Sequence, residues 1–417
     1  MLAVLRQRNF SLLWFGQIIS SIGDFALGLA LPYYTYQLTG SVLATGIAAL
    51  AGNIPRALLG SVAGVFVDRW NRKWTMMSMD FLRAFLLLLL LVVRSPGAIW
   101  LIYLVGVLDA TCSLFFGPAK SALVPSLVNE QDLTTANALS DIGNNLPRLL
   151  GPIMGGVLLS ISGGLTSVVF VDSATFLFSG LMIWLITTPA VPSVSIKGPF
   201  MQTKEAIFAK VWREWIDGLM LVKNQHMILM IFVMISMTEF VDYATGVLLV
   251  PFVTHILHSN AIGMSWMFLG RGVGGLLGGV LVGFLSRFVR PAKLLTLGLM
   301  ADGCLLLLMI SMPSLPLAVA CFTLIGVFVM FWVTSYETLL QQQTKDIYRG
   351  RVFGAFGATT MASALVGQIL ASTTGDRIGI TPWFTAWGIL YLSAGMVALM
   401  TECGIMRKNQ ADSQVPS

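Results

Sequence analysis

A few ionisable residues sit deep inside long apolar runs of this chain, at spacings that suit proton exchange and charge pairing. The acids are Asp24, Glu239 and Asp242, and the bases are Arg56 and Arg271. At 1.5 Å per helical residue, Asp24 is roughly 21 Å from the start of its run at Phe10, and Arg56 is roughly 18 Å from Asp68. Glu239 and Asp242 lie roughly 20–24 Å beyond His226, and Arg271 roughly 23 Å before Ser286. An acid and an Arg therefore share a level half way along their runs twice. Burial disfavours an ionised carboxyl group and a nearby guanidinium favours it. A carboxyl group poised this way can take up a proton on one side and release it on the other as water access alternates. Asp24, Glu239 and Asp242 are the expected proton-coupling residues, with Arg56 and Arg271 as charge partners in two clusters facing a central cavity. A further set, Asp141, Asn144, Asn145 and Arg148, is spaced i, i+3, i+4, i+7. That spacing is one helical face, expected to turn toward the interior. Asp80 and Arg83, at i and i+3, are expected to pair with each other as a structural couple. Asp109, Asp172 and Asp302 have no role assigned by pattern.

The elements that must hold these groups follow from composition. Charged residues are 11 % of the 417, well under the roughly 25 % of a soluble domain. Too few polar groups remain to cover a water-facing surface of this size. A nucleic-acid-binding protein, a disulfide scaffold and a disordered chain are disfavoured by the same numbers. A chain crossing a bilayer many times remains. A span needs about 20 apolar residues, and twelve such stretches are expected: 10–38, 43–67, 74–94, 98–118, 135–162, 165–187, 226–257, 261–286, 292–312, 315–341, 351–373 and 381–404. The expected organisation is an N-terminal six-helix bundle over 1–187, a linker over 188–225, a C-terminal bundle over 226–404 and a tail over 405–417. The linker opens on a Pro/Ser stretch and continues as a basic pattern with Trp212 and Trp215, expected as a helix lying in the membrane interface. With the N-terminus placed in the cytoplasm, 19 of the 25 Lys and Arg residues fall on the inner side and only Arg94 and Arg377 in outer loops. That bias predicts both termini inside.

An internal repeat supports the twelve. Pro32 and Pro251, Gly60 and Gly279, and Gly64 and Gly283 are each 219 residues apart, and Asp80 and Asp302 match at 222. Six spans followed by six in the same orientation are parallel repeats, with a substrate site expected between the halves. The four cysteines (Cys112, Cys304, Cys321, Cys403) are scattered, and no zinc spacing occurs. The HxxH of His255 and His258 is too thin for a metal site, so neither metal nor cofactor is expected. No phosphate-binding GxxxxGK[ST] loop appears, and no nucleophile–base set suggests an enzyme.

The loop after the second span reads Gly64-Val-Phe-Val-Asp68-Arg69-Trp-Asn-Arg72-Lys73. It resembles the GxxxDRxGRR signature of the major facilitator superfamily, with Asn71 where Gly is usual. Asn9-Phe10, Leu13-Trp14, Gly16-Gln17, Ser20 and Gly23-Asp24 are similar to the opening helix of one branch. That branch includes macrolide-efflux proteins and enterobactin exporters. Pro118 to Pro125, Ala136 to Leu139, and Gly151-Pro152 with Gly155-Gly156 follow in its order. The resemblance implies a cytoplasmic latch at Gly64, Asp68, Arg69, Arg72 and Lys73, with Asp68 facing the helix start near Arg351. It also implies a span-five hinge at Gly151, Pro152, Gly155 and Gly156, like the end of the exporters' antiporter motif, although the two upstream glycines fall on Ala138 and Pro147. Small-residue packing is the other reading of that stretch.

The function expected from residues and resemblance together is a secondary exporter in the cell membrane, working as a monomer by alternating access. It would exchange protons for small amphiphilic organic compounds such as drugs, macrolides or siderophores, with membrane lipid around it and no nucleic acid. The 11 Trp, 25 Phe and 22 Met residues suit bulky apolar ligands. A lipid or lysophospholipid flippase on the same fold is the alternative, and a non-transporting membrane sensor the second.

Overall fold

The computed structural model describes residues 2–67, 70–187, 215–216, 220, 222 and 225–412. Among them are twelve long helices. The first six are α1 (Arg8–Thr39), α2 (Val42–Val67), α3 (Arg72–Leu88), α4 (Trp100–Leu123), α5 (Leu133–Ser162) and α6 (Thr166–Trp184). The second six are α7 (His226–Pro251), α8 (Ala261–Leu285), α9 (Pro291–Ser311), α10 (Leu315–Gln343), α11 (Arg349–Ile378) and α12 (Ile380–Asp412). Eleven of the twelve are long and apolar enough to cross a bilayer. The exception is α5, whose Asp141, Asn144, Asn145 and Arg148 lower its mean hydropathy. The last helix passes its expected end at residue 404 and runs on to Asp412. The linker expected over 188–225 lies mostly outside the described residues, so its interfacial helix does too.

Local chemistry sets the helix ends. Gly40, at φ 63°, closes α1 by donating its N–H to the Tyr36 carbonyl; this left-handed conformation favours glycine. Asn71 caps α3, its side-chain oxygen accepting from the Trp74 N–H at 3.2 Å. The departure from the family's usual Gly is thus a good N-cap. Pro291 opens α9, where its missing N–H is harmless. The C-terminal end of α7 widens into a π-helical turn over Phe252–Ile256.

The chain divides into two units, Met1–Ile207 with Asn260–Ser265, and Phe208–Ser259 with Trp266–Ser417. Within the first, α1 packs on α5 and α6, α3 on α4 and α6, and α2 on α4. Within the second, α7 packs on α11 and α12, and α9 on α10 and α12, while α8 meets α10 through glycines. Adding six to each helix number turns one set of pairings into the other. That is the structural form of the repeat.

Small residues make these pairings close, as in membrane bundles generally. A methyl group on Gly155 would collide with the backbone of Ala26 on α1, and one on Gly367 of α11 with the backbone of Phe240 on α7. Gly270, Gly274 and Gly278, spaced by four, bring α8 against Val319, Thr323 and Val327 of α10.

Candidate functional site

In the first unit the charge cluster centres on Arg83 of α3. Its Nη2 meets Asp24 Oδ1 of α1 at 2.6 Å, and its Nε meets Asp109 Oδ1 of α4 at 2.6 Å. A second contact to Asp109 Oδ2 at 3.1 Å makes that pair bidentate. The guanidinium also lies 4.1 Å from the ring centre of Phe176 on α6, a cation–π contact. One side chain therefore ties four helices. Its exposure is only 7 %, so losing its partners would leave a buried charge uncompensated. The expected pairing of Asp24 with Arg56 is corrected here. Arg56 is exposed and reaches Asp24 only at long range. The expected couple of Asp80 and Arg83 is corrected as well. Asp80 is buried beside Ser179, with no full hydrogen bond to either oxygen, while Arg83 reaches past it to two other helices.

Arg83 and Asp109 were missed as site residues. The available signal was Asp109 itself, the sole charged residue between 95 and 119, which demands a partner from a neighbouring helix. Asp172, also unassigned, is buried against Gly23, where a methyl group would strike its carboxyl. Glycine next to Asp24 is what lets α6 approach.

In the second unit, Arg271 of α8 meets Asp242 of α7 at 3.1 Å, as the matched depths predicted. The other Asp242 oxygen accepts from the Tyr391 hydroxyl of α12 at 2.8 Å. Tyr391 was not foreseen, because a tyrosine in an apolar run gives no sign of its partner. The arginine is 36 % exposed and the aspartate 32 %, so this pair is far more open than Arg83. Glu239, one turn before Asp242, is partly exposed and within electrostatic reach of Asp242 and Arg271. Asp302 of α9 is buried and accepts from Trp332 Nε1 of α10 at 2.9 Å.

The polar stripe of α5 is a stripe in the structure too. Asp141, Asn144, Asn145 and Arg148 are all exposed. Lys120 of α4 donates to Asn144 at 3.4 Å, and Asn145 donates to the Asp141 carbonyl at 3.0 Å. A different face of α5 meets α1. Gly143 lies under Trp14 and Ile18, and Gly151 under Ile22 and Phe25. Pro152 and Gly156 are buried in the same continuous helix. The Gly151 to Gly156 stretch therefore packs helices, the second reading offered above.

Much of the opening-helix pattern also packs helices. Asn9 donates to the Thr187 carbonyl at 2.8 Å and accepts from the Thr187 N–H at 3.2 Å, tying the start of α1 to the end of α6. Trp14 donates to the Leu139 carbonyl of α5 at 2.7 Å. Gln17 donates to the Ser179 hydroxyl of α6 at 3.1 Å.

Of the expected latch, Asp68 and Arg69 lie outside the described residues, and Gly64 is placed near the end of α2. Arg72 and Lys73 have local partners. Arg72 donates to the Ala122 carbonyl at 2.8 Å, and Lys73 to the Trp184 and Ile186 carbonyls at 2.8 and 2.6 Å. They sit on the negative ends of α4 and α6, as cations at helix C-termini do.

A cleft of about 520 Å³ opens in the second unit between α7, α11 and α12, lined by Phe232, Ser236, Phe240, Thr359, Ser363 and Leu390 among others. Beside it runs a row of aromatic rings. Trp332 stacks on Tyr336 (6.1 Å), Tyr336 meets Phe356 (5.3 Å), and Phe356 meets Phe232 (5.1 Å).

Two six-helix units with matching internal pairings, and charge clusters inside apolar helices, define a multi-pass membrane protein of the transporter type. The profile of the Major Facilitator Superfamily matches residues 13–367, and the chain belongs to that family. It is 24 % identical over 396 residues to macrolide efflux protein A of Streptococcus pyogenes, covering 94 % of this chain and 95 % of that one. It is likewise 24 % identical over 408 residues to the multidrug efflux pump Tap of Mycolicibacterium fortuitum, covering 93 % and 94 %. Its fold is similar to that of the nucleoside transporter NupG, with a TM-score of 0.72 at 17 % identity over 95 % of this chain and 99 % of that one. A bacterial homologue of ferroportin in an inward-facing state gives 0.71 at 17 % identity, over 94 % and 97 %. The protein is a membrane transporter and not an enzyme.

Proposed function

We propose that this transporter is a secondary exporter of small amphiphilic organic compounds, exchanging them for protons by alternating access. The observation that carries the reading is the open cluster of the second unit. Asp242 is held between Arg271 and Tyr391 at 3.1 and 2.8 Å while about a third of it stays accessible. A carboxylate held by two donors loses both interactions in part when it is protonated, so proton binding and local geometry are coupled. Asp242 stands first among the proton-exchanging groups. Glu239 is its neighbour, while Asp24 of the first unit is held by Arg83 and serves to join helices. Outward direction is supported by the relatives named for macrolide and multidrug efflux. The apolar cleft and aromatic row support a bulky, largely apolar cargo.

The test uses inside-out membrane vesicles with an acidified lumen and a panel of macrolides and dyes. Accumulation of at least one compound that collapses on adding a protonophore is expected. Accumulation indifferent to the protonophore, or none for any compound, contradicts the proposal.

A further inference from the structure

The turn between α8 and α9 is the second unit's counterpart of the basic turn between α2 and α3, but its cations are used differently. In the first unit, Arg72 and Lys73 donate to carbonyls at the ends of α4 and α6. In the second, Arg287, Arg290 and Lys293 are all exposed. Among the described residues, none of these three side chains has a hydrogen-bond or ion-pair partner. No acid occurs between Asp242 and Asp302, and both of those are engaged inside the unit. The turn itself is firmly held. Val289 packs with Leu285 against the buried cluster of Val282, Leu294 and Phe331. The N–H groups of Phe288 and Val289 donate to the Leu285 carbonyl at 2.9 and 2.8 Å. Three uncompensated cations are thus presented from a packed base.

Next to them the surface changes character. Leu276, Val280, Phe284 and Phe288, spaced by four, are all exposed, the two rings at 61 % and 74 %. The ring centres of Phe284 and Phe288 are 5.4 Å apart. The strip lies away from the side on which Gly274 and Gly278 meet α10. An exposed apolar strip on a membrane-spanning helix suits acyl chains, and rings followed by Arg and Lys suit the boundary with the headgroups.

We propose that this turn binds the headgroup of an anionic phospholipid, with Arg287, Arg290 and Lys293 as donors to the phosphate and Phe284 and Phe288 against the acyl chains. Guanidinium groups match phosphate oxygens with paired N–H donors. A zwitterionic lipid offers the same phosphate but brings its own cation, which the three free cations repel. An anionic leaflet attracts every nearby cation diffusely. A site made of fixed cations beside exposed rings holds individual lipids at one place on the protein, and that is the property to test.

The test reconstitutes the full chain in phosphatidylcholine nanodiscs carrying a small fraction of photoactivatable phosphatidylglycerol or, separately, of photoactivatable phosphatidylcholine with the same chains. Crosslinked peptides are mapped by mass spectrometry. In the wild type, labelling of residues 276–294 by the anionic probe is expected to exceed that by the zwitterionic probe about tenfold or more. Excess unlabelled phosphatidylglycerol should displace it and excess phosphatidylcholine should not. The triple variant Arg287→Gln, Arg290→Gln, Lys293→Gln should lose most of this labelling, and Arg287→Lys with Arg290→Lys should keep most of it. Phe288→Ala should lower it about threefold. Arg94→Gln with Arg377→Gln, which removes two exposed cations elsewhere, should leave it within twofold. Equal labelling by the two probes in the wild type overturns the proposal. So does labelling that survives the triple variant, or that falls as far in the Arg94 and Arg377 variant, which marks diffuse attraction alone.

Discussion

The two units solve the same problem, an acid–arginine pair inside an apolar bundle, with different geometry. In the first, Arg83 comes from the third helix of the unit and is closed in by Asp24, Asp109 and Phe176. In the second, Arg271 comes from the second helix and meets Asp242 alone, with Tyr391 on the far oxygen. Arg83 is 7 % exposed and Arg271 36 %. A guanidinium that bridges four helices and is sealed from its surroundings holds a fold together. One that is a third open, beside the partly exposed Glu239, can respond to protons and ligands. The two units share their helix pairings but not the source of the cation, which leaves them free to divide the labour.

The sharpest way to break this contrast is to remove each arginine. Arg83→Ala removes the buried group that ties four helices and leaves Asp24 and Asp109, 35 % and 23 % exposed, without their cation; it should cost up to about 3–5 kcal/mol, the penalty for breaking a buried pair. Arg271→Ala should cost well under half of that. Unfolding of the two variants in detergent, followed by tryptophan fluorescence, gives both numbers. Next in size is Gly155→Val, which forces α5 off α1. Overpacking of this kind costs about 1–3 kcal/mol, and a lower melting temperature without a selective change in substrate range is expected. Tyr391→Phe removes one hydrogen bond to a carboxylate and should cost about 1.5 kcal/mol in stability. It should also alter the pH dependence of flux, which Gly155→Val should not. The smallest effect expected is that of Asn71→Ala, about 1 kcal/mol from a lost helix cap, with turnover per folded molecule unchanged.

How far the chain could be read beforehand depended on range. Twelve helices follow from length and apolarity, since a bilayer imposes both. The face shared by Asp141, Asn144, Asn145 and Arg148 follows from the helical period alone. The meeting of Asp242 with Arg271 was legible because α7 and α8 are consecutive and their depths can be counted from the ends. The partners of Arg83 were not. A long side chain chooses among several helices, and the choice depends on which helices touch. Depth counting offered Arg56 for Asp24, and the i, i+3 spacing offered Asp80 for Arg83; tertiary contact overrode both. The basic loop shows partners that its pattern does not name. The Arg72 guanidinium and Lys73 ammonium groups cap α4 and α6 within their own unit. The glycines around Pro152 carry an exporter-like pattern and serve at least as contacts for α1.

The division between a closed structural cluster and an open responsive one is tested most directly by two isosteric changes measured side by side. Asp109→Asn and Asp242→Asn are each assayed for unfolding midpoint and for pH-gradient-driven accumulation per folded molecule in inside-out vesicles. The account predicts a lowered midpoint with near-normal accumulation for Asp109→Asn. For Asp242→Asn it predicts a smaller drop in midpoint than for Asp109→Asn, with accumulation reduced at least tenfold. Full accumulation in Asp242→Asn, or abolished accumulation in a normally stable Asp109→Asn, would contradict it.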